Sequence, residues 1–468
     1  MFKSIFTNSF GILFSRILGF IRDLLTASLL GANIYSDIFF IAFKLPNLMR
    51  RIFAEGAFVQ AFLPALTRSN SKSVFSVHIF NIFFITISLI TLVVNLFPHI
   101  ATQLIALGYD KSTIEMAAPF VGINFFYLPL IFIVTFLSTF LHYKNHFATT
   151  SFGTALLNIA LIIALLLSQH LEQEQIVYYL SYGVVAGGLL QLIVHLIAIY
   201  KLNLLPMFLG GVKYYKVKLP KVKKQTNKFY KQFFPAVWGS STAQFSAFLD
   251  TWLATFLVSG TVSYLYYANR VFQLPLALFA IATSIALFPK IARYLKNEDS
   301  SKALDTLKKA LLFLSALLLA SFIIGYLLSE EIIMILFEHG AFTHYNTLEV
   351  SPVLQMYMIG LLPFGLHKLF ALWLYANEQQ AKAAKIATIA LGSNIVLSLA
   401  LIMPMGAMGL ALASSMSGFI SFGLTLNIFG KKNFLAIISK KLAVILFATA
   451  LVSTFVSLLL KELFHVYF

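Results

Sequence analysis

The chain of 468 residues contains no cysteine. A disulfide framework, a thiol nucleophile and a cysteine-ligated zinc site are therefore excluded. Charge is scarce as well. Asp, Glu, Lys and Arg make up 11% of the residues, where a soluble domain carries about 25%. Acid is the scarcer sign, with 17 Asp and Glu against 34 Lys and Arg and a net charge of +17. No long acidic loop offers the metal ligands that a membrane glycosyltransferase needs. The ten histidines fall in no metal-ligand spacing, and neither a P-loop nor a nucleophile elbow is present. An enzyme is not expected. In a soluble chain this basicity would suggest nucleic acid. Here no folded module with stacking aromatics accompanies it, so no nucleic-acid partner is expected.

What is present is apolar sequence. Hydrophobic residues make up 59%, and the mean hydropathy is +0.86. A bilayer core needs about 20 apolar residues per helix. On that rule thirteen segments are expected, at roughly 5–30, 37–66, 75–97, 118–141, 149–168, 176–199, 230–258, 262–289, 306–328, 348–376, 382–403, 406–429 and 440–463. The fold class is all-α, polytopic in the membrane. The first segment carries internal arginines and no small-residue cleavage site, so it reads as a retained helix. Loops between segments alternate in charge. One set holds Arg68, Lys72, Lys144, Lys201 through Lys231, Lys290, Arg293, Lys296, Lys382, Lys385 and Lys431 to Lys441. The other holds Asp110, Glu115, Glu172, Glu174, Glu330, Glu331 and Glu338. The positive-inside rule assigns the first set to the cytoplasm, with the N-terminus inside and Phe468 outside.

The expected organisation is an N-lobe of six helices over 1–200, a basic cytoplasmic linker over 201–229, a C-lobe of six helices over 230–430, and a thirteenth helix within 431–468. The linker's lysines serve topology and attract anionic head groups, at about 1 kcal/mol per charge near the surface. The halves look repeated. Leu45-Pro46 and Pro64 with Arg68 in the second segment correspond to Leu274-Pro275 and Pro289 with Arg293 in the eighth. An even number of helices per half makes such a repeat parallel, which is a transporter plan.

Arg16, Arg22, Arg50, Arg51 and Arg270 lie inside these apolar segments. A charge at the bilayer centre costs about 2.5 to 3.5 kcal/mol on insertion scales, so each must face water, an ion-pair partner or an anion. Arg51 and Glu55, four apart, share a helix face and form an expected ion pair. Arg50 lies on another face with Asn47 and Ala54, and is the better ligand candidate. Arg22 and Asp23, as neighbours, are expected to point in different directions, leaving Arg22 not simply neutralised. Asp23 and Asp37 remain available to arginines on other helices. Tyr264, Tyr266 and Tyr267 fit an interfacial belt. Arginine outnumbers carboxylate in these segments. Its bidentate, permanently charged fork suits phosphate, so a substrate bearing phosphate, and by extension diphosphate, is expected. Asp250, Asn394 and Ser398 offer hard oxygens of the kind sodium accepts, with a satisfied structural carboxylate as the alternative. Lys44, His367 and Lys368 read equally as packing or snorkelling residues.

The run Phe14-Ser15-Arg16-Ile17-Leu18-Gly19-Phe20-Ile21-Arg22-Asp23 resembles the first-helix signature of the MurJ/MviN lipid II flippases. The run from Phe43 through Pro46, Asn47, Arg50, Arg51, Glu55 and Phe58, on to Gln60-Ala61-Phe62-Leu63-Pro64, is similar to that family's most recognisable motif. Tyr266-Tyr267-Ala268-Asn269-Arg270 with Leu274-Pro275 resembles its eighth-helix motif, and Leu336-Phe337, Gly340 and Phe342-Thr343 its turn before the tenth helix. The resemblance implies the multidrug/oligosaccharidyl-lipid/polysaccharide exporter fold, with two six-helix lobes facing a central cavity. It implies alternating-access transfer of undecaprenyl-diphosphate-linked peptidoglycan precursor from the inner to the outer leaflet of the bacterial cytoplasmic membrane, for cell-wall biogenesis and cell shape.

By the same resemblance Arg16, Arg22, Arg50 and Arg270 hold the diphosphate, while Ser15, Asp23, Asp37, Asn47, Arg51 and Glu55 support or gate. A sodium ion would fall near Asp250 and Asn394; no other cofactor is implied. Lipid II, membrane lipids and the cell-wall synthesis machinery are the expected partners of a monomer. Two departures stand out: Asn269 and Gln273 occupy positions that are acidic in many members, and one segment instead of two follows residue 430. An exporter of another polyprenyl-linked oligosaccharide, a cation-coupled drug antiporter and a non-transporting envelope scaffold are the alternatives.

Overall fold

In lipid, a backbone must close its hydrogen bonds within the segment, which selects helices for these apolar runs. The computed structural model describes the backbone of residues 2–54 and 57–467, and the side chains of 10–50, 58–237, 244–464 and 466. Its described residues form helices joined by short turns. They divide into two units, Met1–Gln244 and Phe245–Phe468.

The first unit holds α1 (Phe2–Leu30), α2 (Ile34–Ala54), α3 (Ala57–Thr67), α4 (Lys72–Leu96), α5 (Pro98–Ile105), α6 (Lys111–Phe125), α7 (Tyr127–Tyr143), α8 (Ala148–Ser168), α9 (Gln173–Lys201), α10 (Leu205–Lys213) and most of α11 (Tyr215–Ala254). Its core is phenylalanine. Phe58, Phe62, Phe75, Phe132, Phe136, Phe140 and Phe229 are fully buried, with ring centroids 5.2 Å apart for Phe58–Phe62 and 5.1 Å for Phe136–Phe140. The basic stretch 201–229 is helical, as α10 and the start of α11. Phe229 ties α11 to that core, and Gln225 donates to the Ala65 carbonyl at 2.6 Å.

The second unit continues with α12 (Thr261–Pro275), a π-helical turn (Leu276–Ile281), α13 (Ala282–Lys296), α14 (Ser300–Leu327), α15 (Ser329–Phe337), α16 (His344–Ile359), α17 (Leu361–Ala376), α18 (Gln380–Phe429), α19 (Lys431–Ile437) and α20 (Lys440–Tyr467). The π turn follows Pro275, which has no N–H to give to the α-helical ladder. α18 is a hairpin folded at Gly406, whose φ of 54° and ψ of −129° leave the helical region. A Cβ on Gly409 would lie 2.2 Å from the Leu401 carbonyl oxygen, so only glycine allows so tight a return. The last helix, α20, packs on α14.

Nine helical stretches among the described residues are long and apolar enough to cross a membrane. One of them, Gln380–Phe429, contains two expected segments, split at the expected link beside Pro404. Segments 5–30, 37–66 and 230–258 are helical as α1, α2 with α3, and α11, but are not among the nine. They carry internal charge or adjoin residues outside those described, so length and apolarity do not fix the count at thirteen.

The interfacial reading of Tyr264 and Tyr267 is corrected. Both are buried, and the Tyr267 ring lies 5.1 Å from Phe337 and 5.6 Å from Phe342. The tyrosines of the Tyr-Tyr-Ala-Asn-Arg run and the phenylalanines of the turn before α16 are halves of one packing cluster. Thr343 begins α16 with a capping box closed by Asn346, which sets that turn in place.

Candidate functional site

α1 lies against α8, and their contact carries a polar chain through apolar surroundings. Arg22 Nη2 donates to Asp23 Oδ1 at 2.6 Å and Nε donates to the same oxygen at 3.1 Å. The expectation that these neighbours diverge is thereby overturned. Their Cβ atoms are about 100° apart around the helix, but the long arginine stem curls back across that angle to the carboxylate. Asp23 is 1% exposed and the Arg22 side chain 12%, so the ion pair is held out of bulk water. Arg22 Nη1 donates onward to Asn158 Oδ1 at 3.1 Å, and Asn158 Nδ2 donates to the Ser15 carbonyl at 2.9 Å. Ser15 thus supports Arg22 through Asn158. Asn158 is absent from the sequence expectations, although a lone amide within the apolar run of α8 is a visible signal.

Arg16 is exposed on α1. Six residues separate it from Arg22, which sets it about 120° away around the helix. On α2, Arg50 Nε donates to Asn47 Oδ1 at 3.1 Å, as the shared face predicts. The expected Arg51–Glu55 pair lies outside the described residues. Asp37 is 1% exposed in the first turn of α2, where the helix dipole favours a carboxylate. Tyr109 sits near it: burial first, and the Asp37 carboxylate second, push the tyrosine pKa up. Arg270 is half-buried on α12, six residues before the start of the π turn. Its neighbours Asn269 and Gln273 hydrogen-bond each other.

The second unit gathers the expected oxygen donors. With the Asn394 amide turned to suit its surroundings, its nitrogen donates to Asp250 Oδ1 at 3.2 Å and Ser246 Oγ at 3.1 Å, and its oxygen accepts from the Ser414 N–H at 3.3 Å. Ser414 Oγ donates to Asp250 Oδ2 at 2.9 Å. Asp250, Asn394 and Ser398 are all buried. Ser398 Oγ joins none of these bonds and has no hydrogen-bond partner. Ser246 and Ser414 complete the cluster. Ser246 lies four residues before Asp250 on one helix face, and Ser414 is brought opposite Asn394 by the hairpin around Pro404 and Gly406. Among the described residues no group of three His, Cys, Asp or Glu could hold a metal; the cluster is one carboxylate among neutral oxygens. His367 Nδ1 lies 2.8 Å from Thr425 Oγ1, a packing role.

The family model for the lipid II flippase MurJ matches residues 26–468. The chain belongs to the lipid II flippase MurJ family. A probable lipid II flippase MurJ of Helicobacter pylori strain J99 is 50% identical over 431 residues, covering 90% of this chain and 94% of the relative. One from Vibrio cholerae is 32% identical over 428 residues, covering 88% and 79%. A solved lipid II flippase MurJ in an inward closed conformation superimposes with a TM-score of 0.77 at 27% identity, over 98% of both chains. An inward-facing multidrug resistance MATE family transporter of the MOP superfamily has a TM-score of 0.64 at 11% identity, covering 90% and 95%; that likeness is one of fold. The MurJ family match spans α2, α12 and the turn before α16, which carry the later resembling motifs; the α1 run Phe14–Asp23 precedes the matched residues. The chain is a multi-pass membrane protein.

Proposed function

We propose that this chain moves lipid II from the inner to the outer leaflet of the bacterial cytoplasmic membrane by alternating access, in service of peptidoglycan synthesis. The observation that carries this reading is the near full-length, 50% identical match to a MurJ relative. The substrate's diphosphate has to be stripped of much of its water, and fixed guanidinium groups replace that hydration. Arg16, Arg22, Arg50 and Arg270 are the proposed diphosphate ligands. Asp23, Asn158 and Ser15 hold Arg22, and Asn47 holds Arg50; Asp37, Arg51 and Glu55 support or gate. The N-terminus is cytoplasmic and Phe468 extracytoplasmic on the charge alternation of the loops.

The Asp250 cluster fits a sodium ion by its donor chemistry. The Asp250 carboxylate and the Ser246 and Ser414 hydroxyls are hard oxygens, the Asn394 amide oxygen would join them on turning back toward Asp250, and the Ser398 Oγ, four residues on from Asn394, is buried without a hydrogen-bond partner. Bound there, the ion would supply a coupling gradient. The empty carrier's positive charge also lets the membrane potential act, at about 2.3 kcal/mol per charge per 100 mV. The chain works as a monomer beside the cell-wall synthesis machinery.

Complementation tests this reading. A bacterium is depleted of its own lipid II flippase, this chain is expressed, and lipid II reaching the outer leaflet is measured. Restored delivery supports the proposal; expression in the membrane without delivery contradicts it.

A further inference from the structure

A cleft of about 480 Å³ opens between α5 and α6, lined by His99, Gln103, Tyr109, Lys111 and Glu115. Its volume falls within the range of about 300–1,000 Å³ found for small-ligand sites. The walls are set locally. Pro98 starts α5, the Ala106 N–H closes it on the Thr102 carbonyl at 2.8 Å, and Asp110 caps α6 by accepting from Thr113 N. Ile100 and Ile114 supply the apolar part of the lining. Among the described residues, none of His99, Gln103, Lys111 and Glu115 has a side-chain hydrogen bond or ion pair. Solvent satisfies such exposed groups, but not the Tyr109 hydroxyl, which is buried and has no hydrogen-bond partner. A buried hydroxyl left so weakens the fold. Lys111 stands at the first position of α6, where the helix dipole disfavours a cation. Glu115 follows one turn on, yet the two do not pair; lysine before glutamate is the weaker order for such a pair. Local stability accounts for neither Lys111 nor the Tyr109 hydroxyl.

We propose that this cleft binds a zwitterionic dipeptide. Lys111 takes the terminal carboxylate and Glu115 the terminal ammonium. Gln103 and the Tyr109 hydroxyl meet the peptide group, and Ile100 and Ile114 the side chains. The spacing of the charges sets the length. One helical turn separates Lys111 from Glu115 by about 6 Å along the axis. An extended chain spans about 3.5 Å per residue, so two residues carry their terminal charges over that distance and a single amino acid does not. A simple anion would satisfy Lys111 and meet repulsion from Glu115. Tyr109 also lies near Asp37 in the first turn of α2. An occupied cleft therefore bears on the helix that carries Arg50.

The test uses the full chain in phosphatidylcholine nanodiscs, titrated by saturation-transfer NMR with alanyl-alanine, its N-acetyl derivative, its C-terminal amide and alanine. Each blocked form lacks one charge-assisted hydrogen bond, so wild type is expected to bind alanyl-alanine about tenfold more tightly than either, and more tightly than alanine. Lys111→Met is expected to bind the dipeptide and its amide alike, and Glu115→Gln to bind the dipeptide and its N-acetyl form alike. Tyr109→Phe is expected to lose about fivefold with both preferences intact. Lys111 and Glu115 are exposed, so their variants should melt as wild type does. Each preference is a ratio measured within one variant, which a loss of folded protein does not imitate. Equal binding of all four compounds by wild type overturns the proposal, as does no binding at millimolar concentration, or both preferences surviving in Lys111→Met and Glu115→Gln. No lipid II enters the assay, so its outcome is separate from that of the transport reading.

Discussion

At Arg22 a charge that the sequence presents as under-neutralised is held against Asp23 at 2.6 Å, with the carboxylate 1% exposed. Removing one partner of a buried pair costs about 3–5 kcal/mol, because the other is left uncompensated. Arg22→Ala is therefore expected to lower the melting temperature in detergent sharply, whereas the double change Arg22→Ala, Asp23→Ala restores much of it. A loss of transport in Arg22→Ala would thus mix folding with ligand binding. Arg50 donates to Asn47 on its own helix, so transport by Arg50→Ala is likewise read beside its melting temperature. The face shared by Arg50 and Asn47 was legible from spacing. The Arg22 pair was not, since helical angles describe Cβ directions and an arginine reaches well beyond its own. Asp250 gives a second residue-scale test. Asp250→Asn sets an amide against the donors Asn394 and Ser414 and is expected to cost about 1–3 kcal/mol. If sodium binds there, sodium chloride should raise the wild-type melting temperature relative to choline chloride and leave Asp250→Asn unmoved; equal melting of wild type in the two salts counts against the ion.

The helices themselves were largely written in the apolar runs, and the break in α18 in Pro404 and Gly406. Less legible were the elements whose place depends on distant partners. Three tyrosines near the start of α12 look like a belt until Phe337 and Phe342, some seventy residues on, close over Tyr267. The lysine-rich stretch after α9 looks like a linker because lysines interrupt its apolar residues; yet Phe208 and Phe229 anchor it as helix. Gly211→Val should push α10 off α4, since even a Cβ collides with the Ser73 carbonyl. Hydrogen exchange of residues 205–213 is expected to rise while that of α8 and α9 does not. Asp110 caps α6 by accepting from Thr113 N, and the Ser112 and Thr113 bonds hold its carboxyl below the usual range. A depressed carboxylate stabilises above its unfolded pKa, and that contribution fades as pH falls through the folded one. Asp110→Ala is expected to lower the melting temperature at neutral pH, through the lost cap, and progressively less in acid, measured by melting across pH.

For the whole molecule, family membership and charge placement point the same way. A chain with twice as many cations as carboxylates keeps several of those cations inside apolar helices, and it belongs to the lipid II flippase MurJ family. Composition reached a polytopic membrane protein and the placement of the arginines a phosphate-bearing substrate; the family resemblance was needed to reach lipid II. The arginines carry the central claim, and transport of lipid II by purified protein in liposomes tests it most directly. Arg50→Ala and Arg270→Ala are compared with wild type after their melting temperatures are matched. Both variants are expected to lose transport, and Arg50→Lys to lose less than Arg50→Ala if charge outweighs the bidentate fork. Wild-type transport rates in both alanine variants would contradict the role assigned to these side chains.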